Sequence, residues 1–214
     1  MIVLYWMTPD PVTVSEQDSL LSVWRSMREH GIRRLPVVRD GDQIVGLVGR
    51  TDLYRFITRE EARGPEEGVR DRLERIRVAE AMTIAPATCE AGEPLEAASE
   101  RMRTLKVGAF PVLHRGHLVG IISETDMLRA LGELAWHDSG ASRITIKVDG
   151  SAPPERTYEL VDLCRRYGAA LLAVLTHPVL ADSATMTTLR LRGDRIDELV
   201  EALWHAGFDV VDRC

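Results

Sequence analysis

Enzyme signatures are missing from this chain of 214 residues. It has no glycine–lysine phosphate loop, no G-x-S-x-G elbow, no H-E-x-x-H helix and no C-x-x-C pair. With no nucleophile–base pair and no metal constellation, no reaction class is indicated and the chain reads as a non-enzyme. Aromatic residues make up only 5% of it, and no Lys/Arg cluster is interleaved with them. At a formal net charge of −6 it therefore has no electrostatic footprint for nucleic acid. No apolar run approaches the roughly 18 residues of a membrane span, so no membrane partner is expected. Met1–Met7 is apolar but lacks a basic n-region and a cleavage site; it reads as a packed extended strand, not a signal peptide. Cysteine occurs three times, at Cys89, Cys164 and Cys214, too scattered for a disulfide framework. That usage fits a reducing, cytoplasmic setting. Cys89 has no context for a nucleophile and reads as a small strand residue. His114 and His117 flank a turn and read as turn residues, not metal ligands.

What the chain does have is a repeat. Met7-Thr8-Pro9-Asp10 is answered by Met82-Thr83-Ile84-Ala85, and Leu35-Pro36-Val37-Val38 by Phe110-Pro111-Val112-Leu113. Gly46-Leu47-Val48-Gly49-Arg50-Thr51-Asp52 is answered by Gly120-Ile121-Ile122-Ser123-Glu124-Thr125-Asp126. The first two matches are 75 residues apart and the third is 74 apart. The lost residue falls at Asp40-Gly41-Asp42 opposite Arg115-Gly116-His117, two X-Gly hairpin turns where a length change costs little. Two copies make a pair with an internal two-fold axis and a shared cleft.

Each copy reads β-α-β-β-α. An extended segment, Val12–Val14 or Ala87–Cys89, precedes a helix with apolar residues at helical spacing: Leu20, Val23, Trp24 and Met27, then Leu95, Ala98 and Met102. Ser15–Asp18 has the pattern of a capping box for the first of these helices. Two strands follow, and a second helix opens at Thr51-Asp52 or Thr125-Asp126. The charge run Thr58–Arg77, with Gly64-Pro65 inside it, reads as a solvated linker with some helix. The expected divisions are repeat one at 1–60, linker at 61–77, repeat two at 78–136 and a different domain at 143–214, after a short second linker at about His137–Ser142. That last part runs strand Ile144–Val148, helix Glu155–Tyr167 with Leu160, Val161 and Cys164 on one face, and strand Ala169–Leu175. Strand Thr185–Arg192, helix Asp194–Ala206 and strand Phe208–Val211 complete it, with Gly168 and Gly207 as helix stops. The order βαββαβ is ferredoxin-like, so the fold class is α+β.

The repeated Thr-Asp has two readings. Ser123-Glu124-Thr125-Asp126 is a capping box, and a carboxylate suits a helix start. The same geometry serves a ligand, since a carboxylate can hold a ribose diol and a helix N-terminus a phosphate. In copy one Gly49 replaces the serine, yet Asp52 remains, which capping alone does not explain.

These residues resemble a tandem CBS-domain pair, or Bateman module. The Met-Thr opening, the Leu/Phe-Pro-Val strand around Pro36 and Pro111, and the Gly-x-x-[Ser/Thr]-x-x-Asp closing motif carry the resemblance over about Met1–Leu134. It implies a regulatory module binding AMP, ADP, ATP or S-adenosylmethionine between the repeats, and no other cofactor. On the family's pattern, Asp52 and Asp126 hold ribose, Thr51 and Thr125 beside them are nucleotide-binding candidates, Ser123 contacts phosphate or ribose, and the backbone at Thr13 and Thr88 frames the base. Arg33 and Arg34 face phosphates, whereas the matching Gly108 and Ala109 carry no charge, so one charge-bearing site and one apolar site are expected, with unequal affinities. The family also implies a homodimer through the CBS pairs. From Arg143 the chain is similar to an ACT domain, on element order and Gly207-Phe208-Asp209-Val210. Pro153-Pro154 stands where amino-acid-binding members have glycine, which favours a dimerising sheet. CBS pair followed by ACT-like tail resembles the bacterial acetoin-utilisation accessory proteins. An adaptor dimer that binds no ligand is the alternative, and a protein partner is expected but not identified.

Overall fold

A computed structural model of the chain describes residues 1–61, 67–136, 140–149, 155–179 and 184–214. Gly64-Pro65, residues 137–139 of the second linker, and Pro153-Pro154 lie outside the described residues. The chain divides into two units, Met1–Ala130 and Leu131–Cys214.

The first unit opens with a single turn of 3-10 helix, Val3–Tyr5, followed by β1 (Thr8–Pro9), β2 (Val14–Ser15), α1 (Leu20–Glu29), β3 (Arg34–Arg39), β4 (Gln43–Gly49) and α2 (Arg50–Glu61). Then come α3 (Glu67–Arg75), a second 3-10 turn at Val78–Glu80, β5 (Thr83–Ile84), β6 (Cys89–Glu90), α4 (Leu95–Leu105), β7 (Ala109–His114), β8 (His117–Ser123) and α5 (Glu124–Trp136). The expected β-α-β-β-α order is present twice. Each hairpin closes on the residues that favour it: Asp40-Gly41 and Arg115-Gly116 all have positive φ. Arg39 pairs with Gln43 and His114 with His117, so the first turn is one residue longer than the second, as the offset required.

The strands are exchanged between repeats. β1 pairs antiparallel with β8, and β5 with β4, giving sheets β2-β3-β4-β5 and β6-β7-β8-β1. The 3-10 turns cross over with them: Val3 is fully buried in the core of repeat two, and Val78 in that of repeat one. Met1–Met7 is thus not an extended strand. Its peptides turn at Val3–Tyr5, with Val3 and Leu4 donating to the carbonyls of Glu93 and Ala91 at 3.0 and 2.9 Å. The glycines of the closing motif make this docking possible. A Cβ on Gly46 would overlap the Sδ of Met82, and one on Gly120 that of Met7. The Met-Thr opening and the glycine of the other copy therefore fit one another.

Two details of repeat one differ from the sequence reading. The cap of α1 is Ser19, whose side chain accepts from the Ser22 N–H at 3.2 Å. Ser15–Asp18 forms a turn just before it, in which the Asp18 carboxylate accepts from the Ser15 N–H at 2.7 Å. The charged stretch also contributes to the core, because α3 buries Leu73 among Leu20, Leu35 and Val48.

The second unit holds β9 (Ser142–Val148), α6 (Glu155–Arg166), β10 (Ala170–Pro178), β11 (Thr185–Arg192), α7 (Ile196–His205) and β12 (Asp209–Arg213). The antiparallel sheet is ordered β10-β11-β9-β12, the ferredoxin-like arrangement. Gly168 and Gly207 end the helices at φ of 67° and 77°. Leu160 and Cys164 of α6 pack with Ile144, Ile146, Leu189, Leu191 and Leu199, while Val161 is turned outward and 43% exposed. On β11 the alternation places Leu189 and Leu191 in this core; on the other face Arg190 is buried, Met186 and Thr188 are half-buried and Arg192 is exposed.

Candidate ligand clefts

Each strand-to-helix junction among the described residues of the first unit borders a cleft. The β4–α2 junction brings Asp52 to a cleft of about 420 Å³, and the β8–α5 junction brings Asp126 to one of about 300 Å³. The strand exchange supplies the opposite wall. Thr83, Pro86 and Ala87 of repeat two line the Asp52 cleft, and Thr8, Pro11 and Val12 of repeat one line the Asp126 cleft. Each cleft is thus composite.

The two aspartates are held in closely related ways. Asp52 Oδ2 accepts from the Gly49 N–H at 2.9 Å, and Asp126 Oδ2 from the Ser123 N–H at 2.9 Å. Ser123 adds a second donor, its Oγ at 2.7 Å. Arg55 lies 3.6 Å from Asp52 Oδ1, and Arg129 lies 3.3 Å from Asp126 Oδ1. The cap needs only a backbone N–H, which glycine supplies as well as serine. Gly49 therefore does not break the cap, and the persistence of Asp52 does not separate a capping role from a binding one. What glycine changes is occupancy, since Asp52 Oδ2 is free of a side-chain hydroxyl.

Arg33 and Arg34 line both clefts. Arg33 Nη2 donates to Thr125 Oγ1 at 3.0 Å, so a residue of repeat one reaches the helix start of repeat two. Arg34 lies against Gly108, where a Cβ would overlap its Nη2 and stand 2.9 Å from Glu124 Oε2. Gly108 is the room in which these two long side chains sit. The expected split between one charge-bearing and one apolar cleft is accordingly absent: the arginines of one repeat reach both.

Of the remaining sequence candidates, Thr51, Gly108 and Ala109 line the Asp52 cleft, and Ala109, Ser123 and Thr125 the Asp126 cleft. Thr13, Thr88, Pro36 and Pro111 line neither. The chain passes the clefts one or two residues earlier than the threonines, and the Thr88 carbonyl accepts from Arg101 Nη2 at 2.7 Å. Pro36 and Pro111 are buried within β3 and β7. Sequence reasoning missed Arg50, which lines the Asp52 cleft, and Asp10, which lines the Asp126 cleft. Their counterparts by offset are Glu124 and Ala85, and that mismatch was the available signal.

Nothing else among the described residues gathers reactive groups. No cluster of three or more His, Cys, Asp or Glu side chains forms there. Burial pushes the Cys89 thiol up to about 12, aided by the charge of Glu93, and raises that of Cys164. Both are protonated at neutral pH and unsuited to attack. His117 Nδ1 is paired with Asp42 Oδ2 at 2.6 Å, tying the two hairpin turns together.

The family model for the CBS domain matches residues 3–59 and 78–133. A CBS domain-containing protein of Dictyostelium discoideum is 30% identical over 135 residues, covering 61% of this chain and 91% of that protein. An uncharacterized protein of Methanocaldococcus jannaschii is 31% identical over 126 residues, covering 58% of this chain but only 45% of that protein. Three solved structures share the fold of the first unit. One is a CBS domain pair in complex with 5′-methylthioadenosine and S-adenosyl-L-methionine, with a TM-score of 0.53 at 20% identity over 62% of this chain and 96% of that one. CBSX2 in complex with AMP gives 0.53 at 24% identity, over 63% and 98% of the two chains. A protein named for acetoin utilization (AcuB) from Vibrio cholerae gives 0.54 at 23% identity, over 65% and 98%.

Proposed function

The chain belongs to the CBS-domain family, and on that premise we propose that it is a non-catalytic regulatory protein whose clefts take an adenosine-containing ligand: AMP, ADP, ATP or S-adenosylmethionine. One observation carries the reading. Two equivalent helix starts each turn a carboxylate, 19% exposed for Asp52 and 15% for Asp126, toward a cleft that also holds the Arg33 and Arg34 guanidiniums. Carboxylates accept from ribose hydroxyls and guanidiniums hold phosphate. Structures of the same fold contain S-adenosyl-L-methionine and AMP, which supports the ligand class. Because each cleft is walled by both repeats, a bound ligand would favour one arrangement of the repeats over another. That bias is what a regulatory module passes to a partner protein or to its own second domain. The ferredoxin-like unit fits an ACT-like role as a dimerising sheet in a cytoplasmic homodimer, and its position after a CBS pair supports a link to acetoin utilisation.

Calorimetric titration of the full chain with AMP, ATP and S-adenosylmethionine tests the reading. At least one is expected to bind, and Asp52→Ala and Asp126→Ala are each expected to weaken binding in their own cleft by about 1–3 kcal/mol. Silence with all three ligands removes it.

A specific observation favours a second reading, the adaptor dimer. Tyr54 and Leu128 occupy equivalent positions on α2 and α5 and are 57% and 69% exposed, an arrangement suited to a self-complementary contact. A thermal-shift screen separates the two, because a specific ligand must raise the melting temperature and an adaptor would show no shift.

A further inference from the structure

The two junction clefts are served by one guanidinium pair. Arg33 and Arg34 are adjacent at the start of β3, both line both clefts, and the matching positions of repeat two are Gly108 and Ala109. Arg33 is engaged on the Asp126 side through Thr125 Oγ1 at 3.0 Å. Arg34 stands at Gly108, a wall of the Asp52 cleft.

The other charges are unequal. The Asp52 cleft adds Arg50, and the Asp126 cleft adds Asp10. Arg55 and Arg129 lie at similar distances from the two aspartates, 3.6 and 3.3 Å, and do not distinguish the clefts. Glu124 crowds Gly108 beside Arg34. Counting it, the Asp52 cleft sets three arginines against two carboxylates, and the Asp126 cleft two against two.

We infer that the two clefts compete for this one pair of arginines, so that the chain holds a single polyphosphate nucleotide, in the Asp52 cleft. The Asp126 cleft is left for a nucleoside ligand without net negative charge. The inference rests on the adenosine-ligand reading above. A polyphosphate beside Arg50 draws Arg33 and Arg34 toward its oxygens, and Arg33 then gives up Thr125. A second polyanion would meet Asp10 and Asp126 with Arg33 and Arg34 drawn away and only Arg129 beside Asp126, and would be repelled. A neutral nucleoside needs only the carboxylate and is not excluded. The coupling is reciprocal: whatever keeps Arg33 on Thr125 weakens the nucleotide in the other cleft.

Calorimetry of the full chain with ATP, then with adenosine added to the ATP-saturated protein, tests this. One ATP per chain is expected, followed by one further adenosine. Arg50→Ala is expected to weaken ATP about tenfold or more and to leave that second adenosine within about twofold. Thr125→Val, which removes the acceptor holding Arg33, is expected to tighten ATP severalfold. Two ATP per chain with matched affinities would overturn the shared-arginine inference while leaving the adenosine reading standing. A single ATP that ignores Arg50→Ala but is lost in Asp126→Ala would overturn the assignment of clefts. Silence with both ATP and adenosine removes the adenosine reading and this inference with it.

Discussion

Repeat one and repeat two are near-copies in backbone and unlike in chemistry. Both keep the hairpin, the Pro-Val strand, the closing glycine and the capped aspartate. They differ at Gly49 against Ser123, Arg50 against Glu124, Arg33-Arg34 against Gly108-Ala109, and Asp10 against Ala85. These four differences fall at or beside the clefts, while buried Leu20, Met27, Leu35 and Val37 are matched by buried apolar Leu95, Met102, Phe110 and Val112. The comparison teaches that packing requirements hold a duplicated fold in place while cleft positions are free to diverge.

The strongest test of the shared framework is to cut equivalent core residues. Phe110→Ala is expected to cost about 3–5 kcal/mol and Leu35→Ala about 2–5 kcal/mol, because both side chains are fully buried. Urea unfolding followed by circular dichroism measures both. A single cooperative transition in both variants would show that the two cores melt as one, as the crossing of Val3 and Val78 requires.

The closing glycines should break the symmetry. Gly120→Ala is expected to cost about 1–3 kcal/mol, since its Cβ meets the Met7 side chain and also the Thr8 carbonyl oxygen at 3.0 Å. Gly46→Ala meets only Met82 within that range and should cost less, with Met82→Ala restoring part of the loss. The same unfolding experiment, run as a double-mutant cycle, decides it.

A smaller difference lies at the left-handed positions. Asp10 and Ala85 are equivalent, at φ of 44° and 46°. Aspartate tolerates this conformation and alanine does not, so Ala85→Gly should stabilise by up to about 1 kcal/mol, and Asp10→Gly by little. Melting temperatures of the two variants give the answer.

The smallest effect concerns Cys89, whose counterpart in repeat one is Val14. Its folded-state pKa of about 12 lies above its ordinary value of 9.0, so the burial of the neutral thiol contributes fully below pH 9 and is lost as pH rises toward 12. Stability should fall more steeply above pH 9 in the wild type than in Cys89→Val. In the native chain, iodoacetamide should label exposed Cys214 and spare buried Cys89 and Cys164.

Much of the fold was legible. Hairpins, helices and the βαββαβ order of the second unit follow from turn residues, periodicity and stop glycines, which act within a few residues of where they stand. The aspartates, the arginine pair and Ser123 were legible as cleft candidates through the repeat. Arg50 and Asp10 were not, because each stands out only once its mismatch with the other copy is placed in a wall. Pro11-Val12 and Pro86-Ala87 line the clefts just before Thr13 and Thr88, and spacing does not show where the chain leaves a cleft.

Sequence by itself determined that there are two repeats, where their turns lie, and which residue types close them. The tertiary structure alone decided which repeat each opening segment joins. β1 could pair by pattern with β4 or with β8, because both present a glycine in the same strand context; local chemistry is degenerate between copies. Only the complete packing, with Val3 filling one core and Val78 the other, lifts that degeneracy. It is also what brings the arginines of repeat one to both clefts.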